Sequence, residues 1–324
     1  MFPLNGRAER RERKGSPLHH VVRADQVKPR PAYPDASAGF ARYSLVDREA
    51  GSVHMAVGIC SLDPQGSVDE HLHSFEESFF VLEGSPVLVL DGRGYRLSPG
   101  ACGVVPVGVQ HAWLERDGDG ARWIDMYAPQ PRVEGTGGQD TFFVGHAGEV
   151  GDTTPLDVRD PRTRNLFRLD EGQMELDRLK AGAAVDEPTV SASMATALLA
   201  YSGIAVKMLV DQRVDAQLHT MFMVEYEPGG VAHRHDHPLE EAYLILEGEV
   251  EAEADGERYV LQAGDGFWTG VGCVHAFDNR SGARVRWLET QAPQPPARHS
   301  YRFNRDWEYL DGRIGDAPET PGRS

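Results

Sequence analysis

Apolar positions along this chain fall in short runs closed by Gly, Pro, Asp or Asn, with almost no helical periodicity between them. Ser52–Ser61 (SVHMAVGICS) reads as a buried strand, Pro64-Gln65-Gly66 as a turn and Ser78–Leu82 as a further strand. Val87–Leu90 and Gly94–Leu97 flank Asp91-Gly92, a hairpin turn signal that returns at Asp255-Gly256. Ile204–Val210 and Gln217–Tyr226 are strand-like as well. Strands of this length and spacing predict an all-β chain built from small antiparallel barrels or jelly rolls. One stretch departs from the pattern. Asn165–Ala181 spaces its apolar residues partly like an amphipathic helix, so the segment joining the β-rich regions is expected to be partly helical.

The pattern occurs twice. A shift of 164 residues takes His235 to His71, His237 to His73, Glu241 to Glu77, Gly248 to Gly84, Gly264 to Gly100, Gly272 to Gly108 and His275 to His111 without an insertion or deletion. The same offset relates Trp287 to Trp123 and the Ala-Pro-Gln-Pro at 292–295 to that at 128–131. Chance does not hold one register through so many Gly, His and Trp positions, so one β-rich unit is duplicated. The expected units are a first barrel over 37–132 and a second over 201–303, joined by a connecting segment over 133–200. A basic tail lacking order is expected over 1–36 and a further tail over 304–324.

Within each unit, His-x-His puts two imidazoles on one face of a strand, about 6–7 Å apart along it. Glu241 and His275 can close on His235 and His237, as Glu77 and His111 can on His71 and His73. Three imidazoles and a carboxylate form a borderline N/O donor set for a divalent transition metal, up to one ion per unit, with Fe or Mn favoured and Ni, Cu or Zn open. Glu241 is a ligand candidate and, released from the ion, a candidate general base. His233 shares the strand parity of His235 and His237 and is a candidate pocket residue. Trp268 is another, although it and Trp113 also suit core packing. Glu76 and Glu240 have the opposite parity and are expected to face solvent.

A chain of 324 residues suits two domains, and 40% hydrophobic with 26% charged residues describes a soluble globular protein. The formal net charge of -17 repels nucleic acid and anionic lipid. No apolar run approaches the roughly eighteen residues of a membrane span, and the first thirty residues carry no secretory core. Cys60, Cys102 and Cys273 are odd in number and widely separated, which fits buried thiols in a cytoplasmic protein better than a disulfide frame.

These residues resemble the two sequence motifs of the cupin superfamily. The second unit matches at Gly229, His235, His237, Glu241, Gly248, Gly264, Gly272, His275 and Asn279, with Gly270 where the family usually has Pro. The first matches at His71, His73, Glu77, Gly84, Gly100, Pro106, Gly108 and His111, with Gly66 displaced by one and Glu115 in place of Asn. The resemblance implies two tandem double-stranded β-helix barrels, a bicupin, and commonly a homodimer. An intact three-His, one-Glu set in both halves is similar to the quercetinase-type dioxygenases. The layout is also similar to the ureidoglycine aminohydrolases, whose second-unit ligands are Glu, His, His and Gln. The implied function is a metal-dependent dioxygenase acting on a small oxygen-rich substrate. A ureidoglycine aminohydrolase-like hydrolase, an isomerase or decarboxylase, and a non-catalytic small-ligand binder are the alternatives. The second unit is the expected seat of catalysis.

Overall fold

The computed structural model describes residues 18–132, 140–146, 153, 160–176 and 203–295, and the backbone of 302–303. Residues 1–17, 177–202 and 304–324, with most of the polar stretch around 151–161, lie outside the described residues. Among the described residues the complete helices are short 3-10 turns, and no helix is long and apolar enough to cross a membrane.

Each unit is a curled antiparallel barrel. In the second, a six-stranded sheet runs in the order His19–Val22, Gly266–Thr269, Glu240–Glu247, Val285–Ala292, Thr220–Tyr226, Ile204–Val210. A five-stranded sheet, Glu257–Gln262, Glu249–Ala254, His275–Asp278, Val231–Asp236, Arg302–Phe303, faces it. In the first unit the two faces join into one eleven-stranded sheet, because the strand Ala56–His73 runs through both.

Alternation along the strands assigns each side chain to one of two cores. Tyr243 and Ile245 point into the second barrel with Phe267, Phe277 and Trp287. Ala242, Leu244, Trp268 and Leu288 point the other way, where they meet Ile59, Phe80, Val104 and Ile124 of the first unit in a single shared core. Trp268 is therefore packing between the units and does not line a substrate pocket. Trp113 is likewise core, stacked on Trp123 with ring centroids 4.5 Å apart.

The shared face also corrects the expectation for Glu76 and Glu240. Their parity is as read, but the other face is covered by the partner unit, and both are buried. Glu240 accepts hydrogen bonds from the N–H groups of Val53 (2.8 Å) and His54 (3.2 Å) and from the Ser52 hydroxyl (2.5 Å). Glu76 accepts from the N–H groups of Gln217 and Leu218, both at 2.8 Å, and faces His219. Gln217 and Leu218 are Val53 and His54 shifted by 164, so each unit clamps the other through the same pair of groups.

The region before each unit is exchanged too. The strand His19–Val22 pairs with Gly266–Thr269 of the second barrel, and Leu166–Arg168 pairs with Ala101–Val105 of the first. Residues 18–36 are thus ordered where a tail was expected: an open sheet edge on the second barrel takes up the backbone groups of His19–Val22, and Arg30–Pro31 pairs with Ser37–Val46 of the first unit. Over its described part, the stretch expected to carry an amphipathic helix forms that short strand and a 3-10 turn, Glu171–Met174, capped by Asp170, before Leu176 turns α-helical; residues 177–181 lie outside the described residues.

Two glycines repeat one close approach. Gly84 has φ +78°, and a Cβ there would lie 2.1 Å from the Gly120 carbonyl oxygen; Gly248, at φ +76°, would meet the Arg284 carbonyl oxygen at 2.5 Å. Gly84→Ala and Gly248→Ala are each expected to cost more than about 1 kcal/mol in urea unfolding, through backbone strain as well as contact.

Candidate metal centres

In both barrels the two facing histidines sit directly opposite one another across a strand pair, His71 against His111 and His235 against His275. A β-bulge precedes each, between Val68 and His71 and between Ala232 and His235. The extra residue re-aims the strand so that its histidines turn into the barrel. It also interrupts the alternation that would have placed His233 beside His235. The His233 side chain instead lines a groove of about 520 Å³ with Arg234, Glu251, Glu253 and Tyr259, none of which is a ligand candidate. What His233 gives the site is its carbonyl, which accepts the Nδ1–H of His235 at 2.7 Å.

His71, His73, Glu77 and His111 each present a donor atom, all within 4.8 Å of one another, and so do His235, His237, Glu241 and His275. All eight side chains are buried. The orientation of the imidazoles decides what such clusters can hold. Nδ1 faces a backbone carbonyl in five of the six: Asp69 for His71 (2.7 Å), Val109 for His111 (3.1 Å), His233 for His235, Leu239 for His237 (2.9 Å) and Cys273 for His275 (3.0 Å). A carbonyl only accepts, so each Nδ1 carries the proton and each neutral ring turns a bare Nε2 lone pair inward. His73 Nδ1 faces the Thr141 hydroxyl at 3.0 Å.

Those inward nitrogens meet a carboxylate. His73 and His111 Nε2 lie 2.9 and 3.2 Å from Glu77 Oε2, and His237 and His275 Nε2 lie 2.7 and 3.1 Å from Glu241 Oε2. Lone pairs and a carboxylate oxygen that converge on one point repel, and a cation removes the conflict. The residues thus fit a divalent metal ion in each barrel, with the carbonyls as the outer partners that hold the ligating rings.

The electrostatics agree with this reading at His71 and His235. Burial, reinforced by neighbouring histidines, holds His71 well below the usual imidazole range and brings His235 down to about 3, so both rings stay neutral. Burial opposes ionisation of Glu77, but the adjoining His111 and His73 imidazoles outweigh it and keep the carboxyl well below its usual range. Burial likewise opposes ionisation of Glu241, and the adjoining His237 and His275 imidazoles outweigh it and keep the carboxyl well below its usual range. His237 is raised: burial pulls it down and Glu241 pulls it up by more.

The second elements of the two motifs differ at one turn. Asn279 donates from Nδ2 to the carbonyls of Tyr226, Glu227 and Ala283, whereas Glu115 accepts from the N–H groups of Gln65, Asp117 and Gly118. The substitution reverses the polarity of the turn and leaves the ligands in place.

The surroundings were not legible from spacing. In the first centre Phe75 stacks on His73 at 4.2 Å, Phe143 lies 5.2 Å and Tyr33 6.3 Å from His71, and Tyr127 lies 5.9 Å from His73. Phe143 comes from Thr141–Gly145, a strand of the connecting segment laid against the ligand strand, and Tyr33 from the expected tail. The second centre is more polar. The Tyr243 hydroxyl donates to Glu241 Oε2 and lies 3.2 Å from His275 Nε2, and Gln291 Nε2 donates to Glu241 Oε1 at 2.6 Å. Their first-unit counterparts at the 164 offset are Phe79 and Tyr127. Glu289 adjoins Glu241 and accepts from Trp287 Nε1 at 3.0 Å; burial, then the Glu241 charge, raises it well above the usual carboxylate range.

The Cupin domain family profile (Cupin_2) matches residues 58–127 and again residues 222–290. The chain is a two-domain cupin. Solved bicupins share its fold at low identity. Salicylate 1,2-dioxygenase from Pseudaminobacter salicylatoxidans superposes with a TM-score of 0.64 at 17% identity, covering 90% of this chain and 89% of its own. Its adduct with gentisate gives a TM-score of 0.65 at 15% identity, covering 86% and 82%. A deletion mutant of Bacillus subtilis oxalate decarboxylase gives 0.57 at 14%, covering 91% of this bicupin and 83% of its own chain. No curated protein matches the sequence. The three cysteines of this bicupin are buried free thiols.

Proposed function

We propose that this bicupin is a metal-dependent dioxygenase acting on a small oxygen-rich organic substrate, with the second centre as the seat of catalysis. The observation that carries the reading is the convergence of three Nε2 lone pairs and one carboxylate at a buried point in each barrel. A bound divalent ion would supply Lewis acidity toward a substrate that chelates through adjacent hydroxyl, keto or carboxylate oxygens. His235, His237, His275 and Glu241 would hold it in the second unit, and His71, His73, His111 and Glu77 in the first. With its carboxyl held well below the usual range, Glu241 suits a ligand better than a general base. Gln291 fixes the orientation of that carboxylate, and Tyr243 places a phenol proton at the edge of the centre. The aromatic walls of the first centre and Phe277 beside the second exclude bulk water, which protects a reactive substrate carbanion from side reactions.

Tyr243 and Glu289, whose carboxyl burial and the Glu241 charge raise well above the usual range, also favour a second reading. Proton donors beside the second centre suit protonation of a substrate carbanion, the outcome of a decarboxylase or isomerase. Oxygen consumption on flavonols, diketones, aromatic hydroxy acids and ureidoglycine separates the readings. Uptake on one of the first three supports the dioxygenase. Carbon dioxide release or isomerisation without oxygen uptake supports the second reading, and ammonia release from ureidoglycine without oxygen uptake overturns both. Tyr243→Phe is expected to lower kcat by about 10²–10⁴-fold under the protonation reading, in line with the loss of a positioned proton donor, while leaving metal content unchanged by elemental analysis.

A further inference from the structure

Away from both centres, His19, Asp255 and Cys273 bring one donor atom each to within 4.8 Å of one another. Asp255 lies in the turn after the strand Glu249–Ala254, Cys273 lies two residues before His275, and His19 comes from the exchanged strand His19–Val22. The state of His19 can be read from its neighbours. Tyr259 donates its one hydroxyl proton to Glu257 at 2.7 Å, so its oxygen, 2.8 Å from His19 Nε2, accepts the imidazole N–H. The neutral ring therefore carries its proton on Nε2 and leaves Nδ1 as a bare acceptor. Only 7% of His19 is exposed, and Nδ1 has no hydrogen-bond partner among the described residues. A buried acceptor left unpaired costs free energy that a cation would recover.

We propose that His19, Asp255 and Cys273 form a third metal site, for a thiolate-preferring divalent ion of the zinc class. An imidazole nitrogen, a thiolate and a carboxylate supply three of four tetrahedral positions, and water completes the set. The Tyr259–Glu257 pair behind His19 is the outer hydrogen-bond chain that orients a ligating imidazole. Cys273 is a buried free thiol beside Asp255. Binding exchanges that thiol proton for the ion, and the proton leaves to solvent. Asp255 is exposed and gives the ion a way in, while His19 and Cys273 are buried. The bound ion would pin the exchanged N-terminal strand to the second barrel. It would also brace the peptide whose carbonyl holds His275 Nδ1.

The test uses cobalt, because neither three-His, one-Glu centre contains sulfur. The metal-loaded full chain is titrated with Co²⁺ and then with Zn²⁺. The expected result is a thiolate-to-cobalt charge-transfer band in the near ultraviolet that saturates at one ion per chain, is displaced by Zn²⁺ and is lost in Cys273→Ser. Asp255→Asn, a change at an exposed turn, keeps the metal-free fold intact and is expected to weaken the Co²⁺ titration with an unchanged melting temperature before metal is added. Absence of the band in the wild-type chain, its persistence in Cys273→Ser, or an unaltered Co²⁺ affinity in Asp255→Asn overturns the proposal. Neither result depends on the reaction assigned to the other two centres.

Discussion

His235→Ala is expected to remove one metal equivalent and to lower activity by more than ~100-fold, since disturbing even the outer partners of a metal ligand costs about 10–100-fold in affinity or activity. His71→Ala should remove one equivalent as well but spare more of the activity, if the second centre is where chemistry occurs. Elemental analysis of the two variants, with turnover measured on the same preparations, checks both statements. Full metal at the second site in His235→Ala would sink the ligand assignment, and equal loss of activity in the two variants would sink the choice of centre. The expectation rests on the directed lone pairs. With Nδ1 of His235 tied to the His233 carbonyl, its Nε2 has one useful partner, an ion between it, His237, His275 and Glu241. Chelator treatment is expected to lower the melting temperature, and readdition of the divalent ion to restore it, because an ion that binds only the folded chain stabilises it by mass action.

Glu240→Ala is the second large effect, and it lies outside both centres. The substitution strips three hydrogen bonds from the interface between the units and leaves the N–H groups of Val53 and His54 without the carboxylate that accepts them. Taking the charged acceptor away from such donors costs about 1–3 kcal/mol, so unfolding in urea should shift by that amount. Glu76→Ala should behave alike because Gln217 and Leu218 repeat the arrangement. An effect below 1 kcal/mol in both variants would show that the clamps do not hold the units together. Acid supplies a further check. Burial raises the Glu76 carboxyl, but His219 and the two N–H groups lower it by more, to below its ordinary 4.5. A carboxyl whose folded value is depressed contributes stability that is present above its unfolded value and lost as pH falls through the folded one. The stability gap between wild type and Glu76→Gln should accordingly narrow as pH drops below 4.5.

Much of the candidate site could be read from spacing. His-x-His, the carboxylate four residues on and the distant third histidine recur at a constant 164-residue offset, and the barrel brings together the eight side chains that the pattern picks out. His233 and Trp268 could not be placed so. A parity argument runs only as far as the strand is regular, and the bulge between Ala232 and His235 ends it. Tyr243 and Gln291 carry no motif of their own. Their roles emerge when the strands Glu240–Glu247 and Val285–Ala292 pair, which sets Glu241 opposite Gln291.

Local alternation and the repeat thus settled the strands, the duplication, the all-β class and the ligand candidates, because these depend on short-range geometry that each residue carries with it. Tertiary structure decided which face of each sheet meets water. The outward face of each barrel lies against the other barrel, so Glu76 and Glu240, exposed by parity, became buried clamps, and Trp268 became packing between the units. It also decided that residues around His19 leave their own unit to complete the sheet of the other. An open sheet edge and an uncovered apolar face are satisfied by whichever segment the whole chain brings near, and that choice is not written in any one stretch of it.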